Sequence, residues 1–187
     1  AARGYPFVHA LRRPSAMRSS AGPAGGSISL TADYRPSARR KVHDTSIPWA
    51  DPSGNRLRDW LGLIAAQFYD PQKVAIIPMG FCYPGTGTSG DLPPRPECAR
   101  HWRQPLLDFL PNIALTLVIG QYAHEWHLGD RQKGSLTETV KNWKDYWPDI
   151  LALPHPSPRN NIWLRRNPWF EAEILPVLRD RVVQVLN

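Results

Sequence analysis

The apolar positions of the chain fall into short continuous runs, which are separated by segments with helical periodicity. Runs of strand length cover residues 74–79, 113–119 and 150–153. The run at 113–119 has no polar interruption except Thr116, which is typical of a parallel strand covered on both faces. Before these three runs, only Ser27 to Leu30 gives a weak indication of a strand.

Amphipathic segments lie between these runs. Asp51 and Pro52 are typical of a helix start, and the apolar residues that follow have the spacing of one helix face: Leu57, Trp60, Leu61 and Ile64. Further helices are predicted at 99–110 (begun or interrupted by Pro105), at 122–128, from the capping box Ser135–Glu138 to about Tyr146, and after Asn167-Pro168. Because strands alternate with helices, the sequence predicts an α/β fold: a three-layer domain with a central, mostly parallel four-stranded sheet flanked by helices.

The composition of residues 1–40 differs from that of the rest of the chain. Ala, Gly, Ser, Arg and Pro supply 29 of these 40 residues. Residues 1–41 also hold eight basic side chains and one acidic one, so the whole net charge of +7 lies there and residues 42–187 are neutral overall. We therefore expect an anomalous, poorly ordered N-terminal arm at 1–40 and a folded domain at 41–187. The positive charge alone is no argument for nucleic-acid binding by that domain.

Other features exclude several classes of protein. No run approaches the length of a membrane span, and no leader-type segment is present, so we expect a cytoplasmic protein without a membrane partner. Two cysteines cannot build a disulfide scaffold. The glycine-rich stretch at 85–90 lacks the lysine of a phosphate-binding loop.

His155 is the histidine whose surroundings are most informative. It follows a buried strand, at the edge of a parallel sheet where ligands usually bind, and three prolines surround it: Pro154, Pro156 and Pro158. Prolines fix the backbone, so this loop is built to hold one shape. Two interpretations stay open: a structural turn whose histidine caps the strand, or an imidazole that presents an N–H to a developing anion.

Several ordered motifs resemble those of the uracil-DNA glycosylase superfamily. Leu153-Pro-His-Pro-Ser-Pro158 resembles the H-P-S motif of that superfamily, and Leu164-Arg-Arg-Asn-Pro168 resembles the R-N-P that follows it in the bacterial iron–sulfur members. Thr45-Ser-Ile-Pro-Trp49 resembles the segment that places an aromatic ring, Phe in that group, on the flipped base. Gly80-Phe-Cys-Tyr-Pro84 and Pro96-Glu-Cys-Ala-Arg100 resemble two segments that carry cysteines. The resemblance covers about residues 41–187 and is nearest to a proteobacterial branch of the iron–sulfur, family four-like enzymes.

The resemblance implies roles for individual residues. His155 would stabilise the departing uracil anion, and Trp49, held by Pro48, would stack on the base in a pocket that also includes Met79, Gly80 and Phe81. Ser157 would bind both substrate and a flanking phosphate. Further DNA contacts would come from the loop and helix that follow, at Arg159, Asn160, Asn161, Arg165 and Arg166. The alternative for Trp49 is a role in the core, and the alternative for Arg165 and Arg166 is a solvated pair of charges at a helix start.

Cys82 and Cys98 match the last two of four cysteine ligands of a [4Fe-4S] cluster in that group. A cubane cluster needs about four thiolates, and this chain has no C-x2-C for the other two. We therefore expect no cluster in this chain, with the two cysteines as inert thiols, although the intact family protein would hold one.

The first motif of the superfamily, G-[QE]-x-P, positions water, and Arg35-Pro-Ser-Ala-Arg39 stands in its place. Read one nucleotide later, codons for 35–40 can encode Gly-Gln-Ala-Pro-Gly. One hypothesis is that residues 1 to about 40 are an out-of-frame translation, which sequencing of the locus tests; the alternative is a real, divergent arm. Either way we expect no well-ordered first strand and little activity, with His43 and Asp44 as substitutes for positioning water.

Three functions stay open. The first is a monomeric DNA N-glycosylase that hydrolyses the N-glycosidic bond of uracil in DNA during base-excision repair. The second is a non-catalytic member that binds uracil-containing or abasic DNA. The third is a nucleotide-handling α/β protein unrelated to DNA, which the neutral charge of residues 42–187 favours and the proline-rich loop opposes.

Overall fold

The protein is built around a four-stranded parallel sheet. A computed structural model describes residues 26–32, 47–80, 86–87, 90–92, 96–110 and 112–187. The strands of the sheet are β1 (Ser27–Ala32), β2 (Val74–Pro78), β5 (Ile113–Ile119) and β6 (Ile150–Leu153), while β3 (Thr86–Gly87) and β4 (Gly90–Asp91) form a short antiparallel pair. The sheet has the order β2-β1-β5-β6, and all of its neighbouring strands are parallel. The predicted three-layer α/β fold with a four-stranded sheet is confirmed.

Seven α-helices lie within the described part of the chain. They are α1 (Pro52–Leu61), α2 (Ala65–Phe68), α3 (Pro96–Asp108), α4 (Gln121–Leu128), α5 (Leu136–Lys141), α6 (Asn161–Arg166) and α7 (Leu175–Leu186). Three 3-10 turns cover Gly129–Arg131, Trp143–Asp145 and Pro158–Asn160, and a π-helical segment, Phe170–Ile174, leads into α7. None of the described helices is long and apolar enough to cross a membrane.

The side chains of β5 show why the sheet needs helices on both faces. Successive residues of a strand point to opposite faces. Leu117 and Ile119 belong to the larger apolar cluster, which includes Leu57 of α1 and Leu178 of α7, whereas Val118 belongs to a second cluster. Both sets are fully buried, so each face of the sheet is covered by a layer of its own.

The strand β1 corrects the expectation for the N-terminal arm. Ser27–Ala32 lies at the centre of the sheet and pairs with β2 on one side and β5 on the other. Ile28 and Leu30 are fully buried, and so are the polar residues Ser29 and Thr31. The expectation of no ordered first strand is therefore wrong for Ser27–Ala32, and the folded unit begins before residue 41. The out-of-frame origin of residues 1–40 stays a hypothesis, and residues 1–25 and 33–40 of the arm lie outside the described residues.

Two predicted helices end earlier than their apolar patterns indicate. Helix α1 stops at Leu61 because Gly62 adopts a left-handed conformation (φ 68°), so Ile64 lies outside it and is 65% exposed. The helix capped by Ser135, whose hydroxyl accepts the Glu138 N–H (3.1 Å), ends at Lys141 and continues only as a 3-10 turn.

The central strand yields a stability prediction. Leu30→Ala should lower the free energy of unfolding by about 2–5 kcal/mol, because it removes a fully buried side chain and leaves a cavity. Val183→Ala is the control: Val183 is 57% exposed on α7, and its effect should stay within about 0.5 kcal/mol. Urea titration measures both values. If Leu30→Ala proves as harmless as the control, β1 is not part of the folded core.

Candidate active site

The four parallel strands end at one edge of the sheet, and backbone hydrogen bonds join their ends in pairs. The Met79 N–H donates to the Ala32 carbonyl (2.9 Å), which joins β2 to β1. The Gly120 N–H donates to the Leu153 carbonyl (3.1 Å), which joins β5 to β6. The loop that carries His155 leaves β6 directly after this second link. The carboxyl edge therefore provides a fixed base for that loop.

The loop after β6 is held by its own side chains. The Asn160 amide donates to the His155 carbonyl (2.7 Å), and the Ser157 hydroxyl accepts the Arg159 N–H (3.2 Å). Pro154 and Pro156 are buried on either side of His155, which is itself half-buried. The predicted rigid placement of the histidine follows from these contacts. An imidazole fixed in this way, and partly shielded from water, can donate an N–H to an anion bound beside it.

Trp49 forms the wall against which His155 lies. The two ring centroids are 5.5 Å apart and the ring planes are inclined by 30°. Only 1% of Trp49 is exposed, and the residue belongs to the larger apolar cluster. The predicted aromatic residue is thus beside the predicted catalytic histidine, but its ring is covered. A base could stack on it only if the ring became exposed.

The backbone around Trp49 is unusual for a large side chain. Trp49 has a positive φ of 62°, a left-handed conformation that bulky residues rarely adopt. Helix α1 approaches it so closely that a Cβ at position 54 would lie 1.8 Å from the Trp49 carbonyl oxygen, so only glycine fits there. The Tyr69 hydroxyl donates to the Pro48 carbonyl (2.9 Å) and the Arg58 guanidinium donates to the Trp49 carbonyl (3.3 Å). These contacts hold the segment in its strained shape.

His124 links the ends of two strands below the loop. It is fully buried on α4, and its Nε2 lies 3.1 Å from the Val118 carbonyl oxygen and 3.0 Å from that of Leu153. Two acceptors at one nitrogen require the proton on Nε2. Burial lowers the pKa of His124, so the ring stays neutral in that tautomer. Since Leu153 lies two residues before His155, His124 fixes the point at which the loop begins.

A buried arginine occupies the carboxyl ends of β1 and β2. The Arg103 guanidinium donates to the Pro78 carbonyl (3.0 Å) and to the Thr31 hydroxyl (2.9 Å), and it lies over the Trp126 ring at 4.9 Å. Its Nη2 is also 2.7 Å from Nε2 of His127. Burial, to which the positive charge of Arg103 adds, lowers the pKa of His127 to about 3. His127 is therefore neutral and accepts the hydrogen bond through Nε2.

The other predicted site residues are placed as follows. Met79 and Gly80 are buried where β2 ends, next to the Pro78 carbonyl that Arg103 binds. Exposed guanidinium groups follow His155 in the loop and on α6, at Arg159, Arg165 and Arg166. Asn160 and Asn161 both make contacts within the protein, to His155 and Arg56 respectively. Phe81 and the proposed water-positioning residues His43 and Asp44 lie outside the described residues.

The cysteines do not fit the cluster that the family resemblance implies. Cys98 lies in the first turn of α3, and Cys82 lies outside the described residues. The whole sequence contains two thiols, whereas a [4Fe-4S] cluster takes four. Among the described residues, no group of three or more His, Cys, Asp or Glu side chains could hold a metal ion. We assign no step of the chemistry to a cluster.

Sequence reasoning missed three residues that organise this edge: His124, Arg103 and Arg56. A lone arginine or histidine in an amphipathic helix gives no sign that it turns inward. The only available signal was the excess of basic and aromatic residues in α3 and α4, which include Arg103, Trp126 and His127.

One comparison with known proteins bears on the site. The sequence profile of the Uracil DNA glycosylase superfamily matches residues 35–179. The match covers the Trp49 segment and the loop that carries His155, and it begins at Arg35.

The Arg103–His127 contact predicts a specific dependence of stability on pH. The pKa of His127 is about 3 in the folded protein and 6.5 when exposed, so below pH 6.5 the unfolded chain binds more protons. Stability should therefore fall as the pH falls from about 6.5 towards about 3. His127→Gln keeps an acceptor for Arg103 but does not titrate. Between pH 7 and pH 4 the parent should lose on the order of 3 kcal/mol more unfolding free energy than this variant.

Urea titrations at both pH values test this, with His101→Gln, an exposed histidine of α3, as the control that should follow the parent. If the parent and His127→Gln lose the same unfolding free energy between pH 7 and pH 4, His127 does not titrate as a buried group.

Proposed function

Because the chain belongs to the uracil DNA glycosylase superfamily, we propose that it excises uracil from DNA by hydrolysing the N-glycosidic bond. The observation that carries this proposal is the placement of His155. It stands at the carboxyl edge of the parallel sheet, in a loop held by prolines and by the Asn160 amide, against the Trp49 ring. His155 is therefore a rigidly held hydrogen-bond donor that is partly shielded from water, as stabilisation of a leaving anion requires.

The chemistry assigned to His155 follows from the leaving group. The nucleotide must first leave the base stack, at a cost of a few kcal/mol. As the glycosidic bond breaks, negative charge gathers on the uracil, chiefly on O2. An N–H of the His155 ring directed at O2 would stabilise that charge by about 3–4 kcal/mol, the scale of one oxyanion-hole contact. The donor does not have to give up its proton for this effect.

Trp49 has a supporting role in this proposal. Since its ring is covered and packs on the imidazole, it fixes the plane of His155. The uracil can stack on Trp49 only after a movement that exposes the ring. The base would then reach the buried backbone at Met79 and Gly80, whose polar groups could read its edge in place of an amide side chain.

DNA would be held by the exposed cations that follow the loop. Arg159 lies in the 3-10 turn after Ser157, and Arg165 and Arg166 lie in the last turn of α6. Phosphate contacts of this kind are lost as salt rises. Water is proposed to be positioned by His43 and Asp44.

A second candidate function is binding of uracil-containing or abasic DNA without excision. The sequence at 35–39 favours it, because Arg35-Pro-Ser-Ala-Arg39 offers no residue of the water-positioning motif. A protein of this kind needs the pocket and the phosphate contacts but not the activated water.

His155→Ala should slow uracil release by about 100- to 1,000-fold, the loss expected when one donor to a developing anion is removed. The measurement is single-turnover cleavage of uracil-containing single- and double-stranded oligonucleotides, developed with alkali. The exposed His101→Ala is the matched control and should keep the parental rate.

The outcomes separate the candidate functions. Equal rates for His155→Ala and the parent would remove His155 from the mechanism. A parent that binds uracil-DNA but releases no base would support the second candidate. A parent that neither binds nor cleaves would contradict both and favour a nucleotide-handling protein unrelated to DNA.

A further inference from the structure

Arg56 of α1 makes two hydrogen bonds to the segment that carries and follows His155. The Nη1 of Arg56 donates to the Ser157 carbonyl (3.1 Å), and its Nη2 donates to Oδ1 of Asn161 (2.8 Å). These partners are 101 and 105 residues away along the chain. One guanidinium thus spans the loop from its middle to the start of α6.

The two acceptors are points on which the shape of the loop depends. The Ser157 carbonyl also accepts the Asn160 N–H (2.9 Å), which closes the 3-10 turn. Asn160 in turn holds the His155 carbonyl through its side chain. Arg56 therefore adds, from a different element, the contact that keeps this short chain of hydrogen bonds in place. Contacts within the loop alone could not fix its distance from the rest of the protein.

Helix α1 carries both sides of the candidate site. At its start, Gly54 packs against the Trp49 carbonyl, and Arg58 donates to the same oxygen. Arg56 lies between these two positions in the sequence of the helix and contacts the loop with His155. The spacing between the Trp49 ring and the imidazole is thus set through one rigid helix.

From this geometry we infer that Arg56 is a positioning residue for uracil excision: by fixing the loop 155–161 to α1, it holds the His155 imidazole in register with Trp49. The inference rests on the proposed function. It does not require Arg56 to touch DNA. A lysine should not replace it, because one ammonium cannot reproduce two parallel donors at the separation of a guanidinium fork.

Arg56 can be replaced without disturbing the core of the protein. Its side chain is half-buried and lines an open groove of about 570 Å³ with Asn161, Leu164, Arg165, Pro168 and Glu171. Removal of the guanidinium leaves no cavity in the core, so the variants should fold. Arg179 offers a matched control, because it also joins two elements through backbone carbonyls, those of Asp59 (2.9 Å) and Trp60 (3.3 Å), but none of its contacts reaches the loop.

The first readout is the rate of base release at saturating DNA. Arg56→Gln should slow single-turnover excision by roughly 10- to 100-fold, the cost of a small misplacement of a catalytic group. Arg56→Lys should recover only a small part of this loss, and Arg179→Gln should stay within about threefold of the parent. The affinity for abasic DNA should change by less than about threefold in all of them, which separates positioning from binding. An Arg56→Gln protein that excises uracil at the parental rate overturns the inference.

The second readout does not depend on activity. Amide hydrogen exchange at Arg159, Asn160 and Asn161, measured on the DNA-free protein, should be faster in Arg56→Gln than in the parent and unchanged in Arg179→Gln. If these amides exchange at the same rate in Arg56→Gln and in Arg179→Gln, the inference is overturned. If the parent releases no uracil, the proposed function has failed, and the exchange comparison alone decides whether Arg56 holds the loop.

Discussion

The contact between the Trp49 ring and the His155 imidazole is the interaction on which the candidate site depends. It joins the segment before α1 to the loop after β6, which are more than a hundred residues apart in sequence. Trp49 makes this contact with a left-handed backbone, a conformation that costs on the order of 1–3 kcal/mol for such a residue. Gly54 allows the close approach of α1, and hydrogen bonds from Tyr69 and Arg58 retain it. Strain of this kind is expected where a functional side chain must be held.

The parallel sheet gives this contact its fixed base. With β1 between β2 and β5, the carboxyl ends of all four strands lie at one edge, and buried polar side chains fasten them together. Arg103 fastens β1 to β2 through Thr31 and Pro78, and His124 fastens β5 to β6 through Val118 and Leu153. Arg103 and the neutral His124 make these contacts from fully buried positions, so the same side chains stiffen this edge and lie shielded from water.

Sequence reasoning identified the elements whose signal is local and missed those that depend on tertiary contacts. The strands β5 and β6 are continuous apolar runs, and His155 lies among prolines, so each could be predicted. The strand β1 gives only a weak sequence signal because Ser29 and Thr31 are polar yet fully buried, and because the biased composition around it is typical of disorder. The sequence is compatible with Trp49 in the core or in a pocket, and nothing in the pattern of α1 separates Arg56 from an ordinary solvated arginine. The partners of these two residues lie about a hundred positions away, which no local pattern encodes.

The central claim is that His155 donates a hydrogen bond to the uracil as the base leaves the DNA. The most direct measurement is a crystal structure of the protein with abasic DNA and free uracil, the two products of the reaction. The account predicts a uracil O2 within hydrogen-bond distance, about 3 Å, of a ring nitrogen of His155, with the base edge facing Met79 and Gly80. Uracil bound elsewhere, with His155 still packed on Trp49 and out of reach of the base, would contradict it.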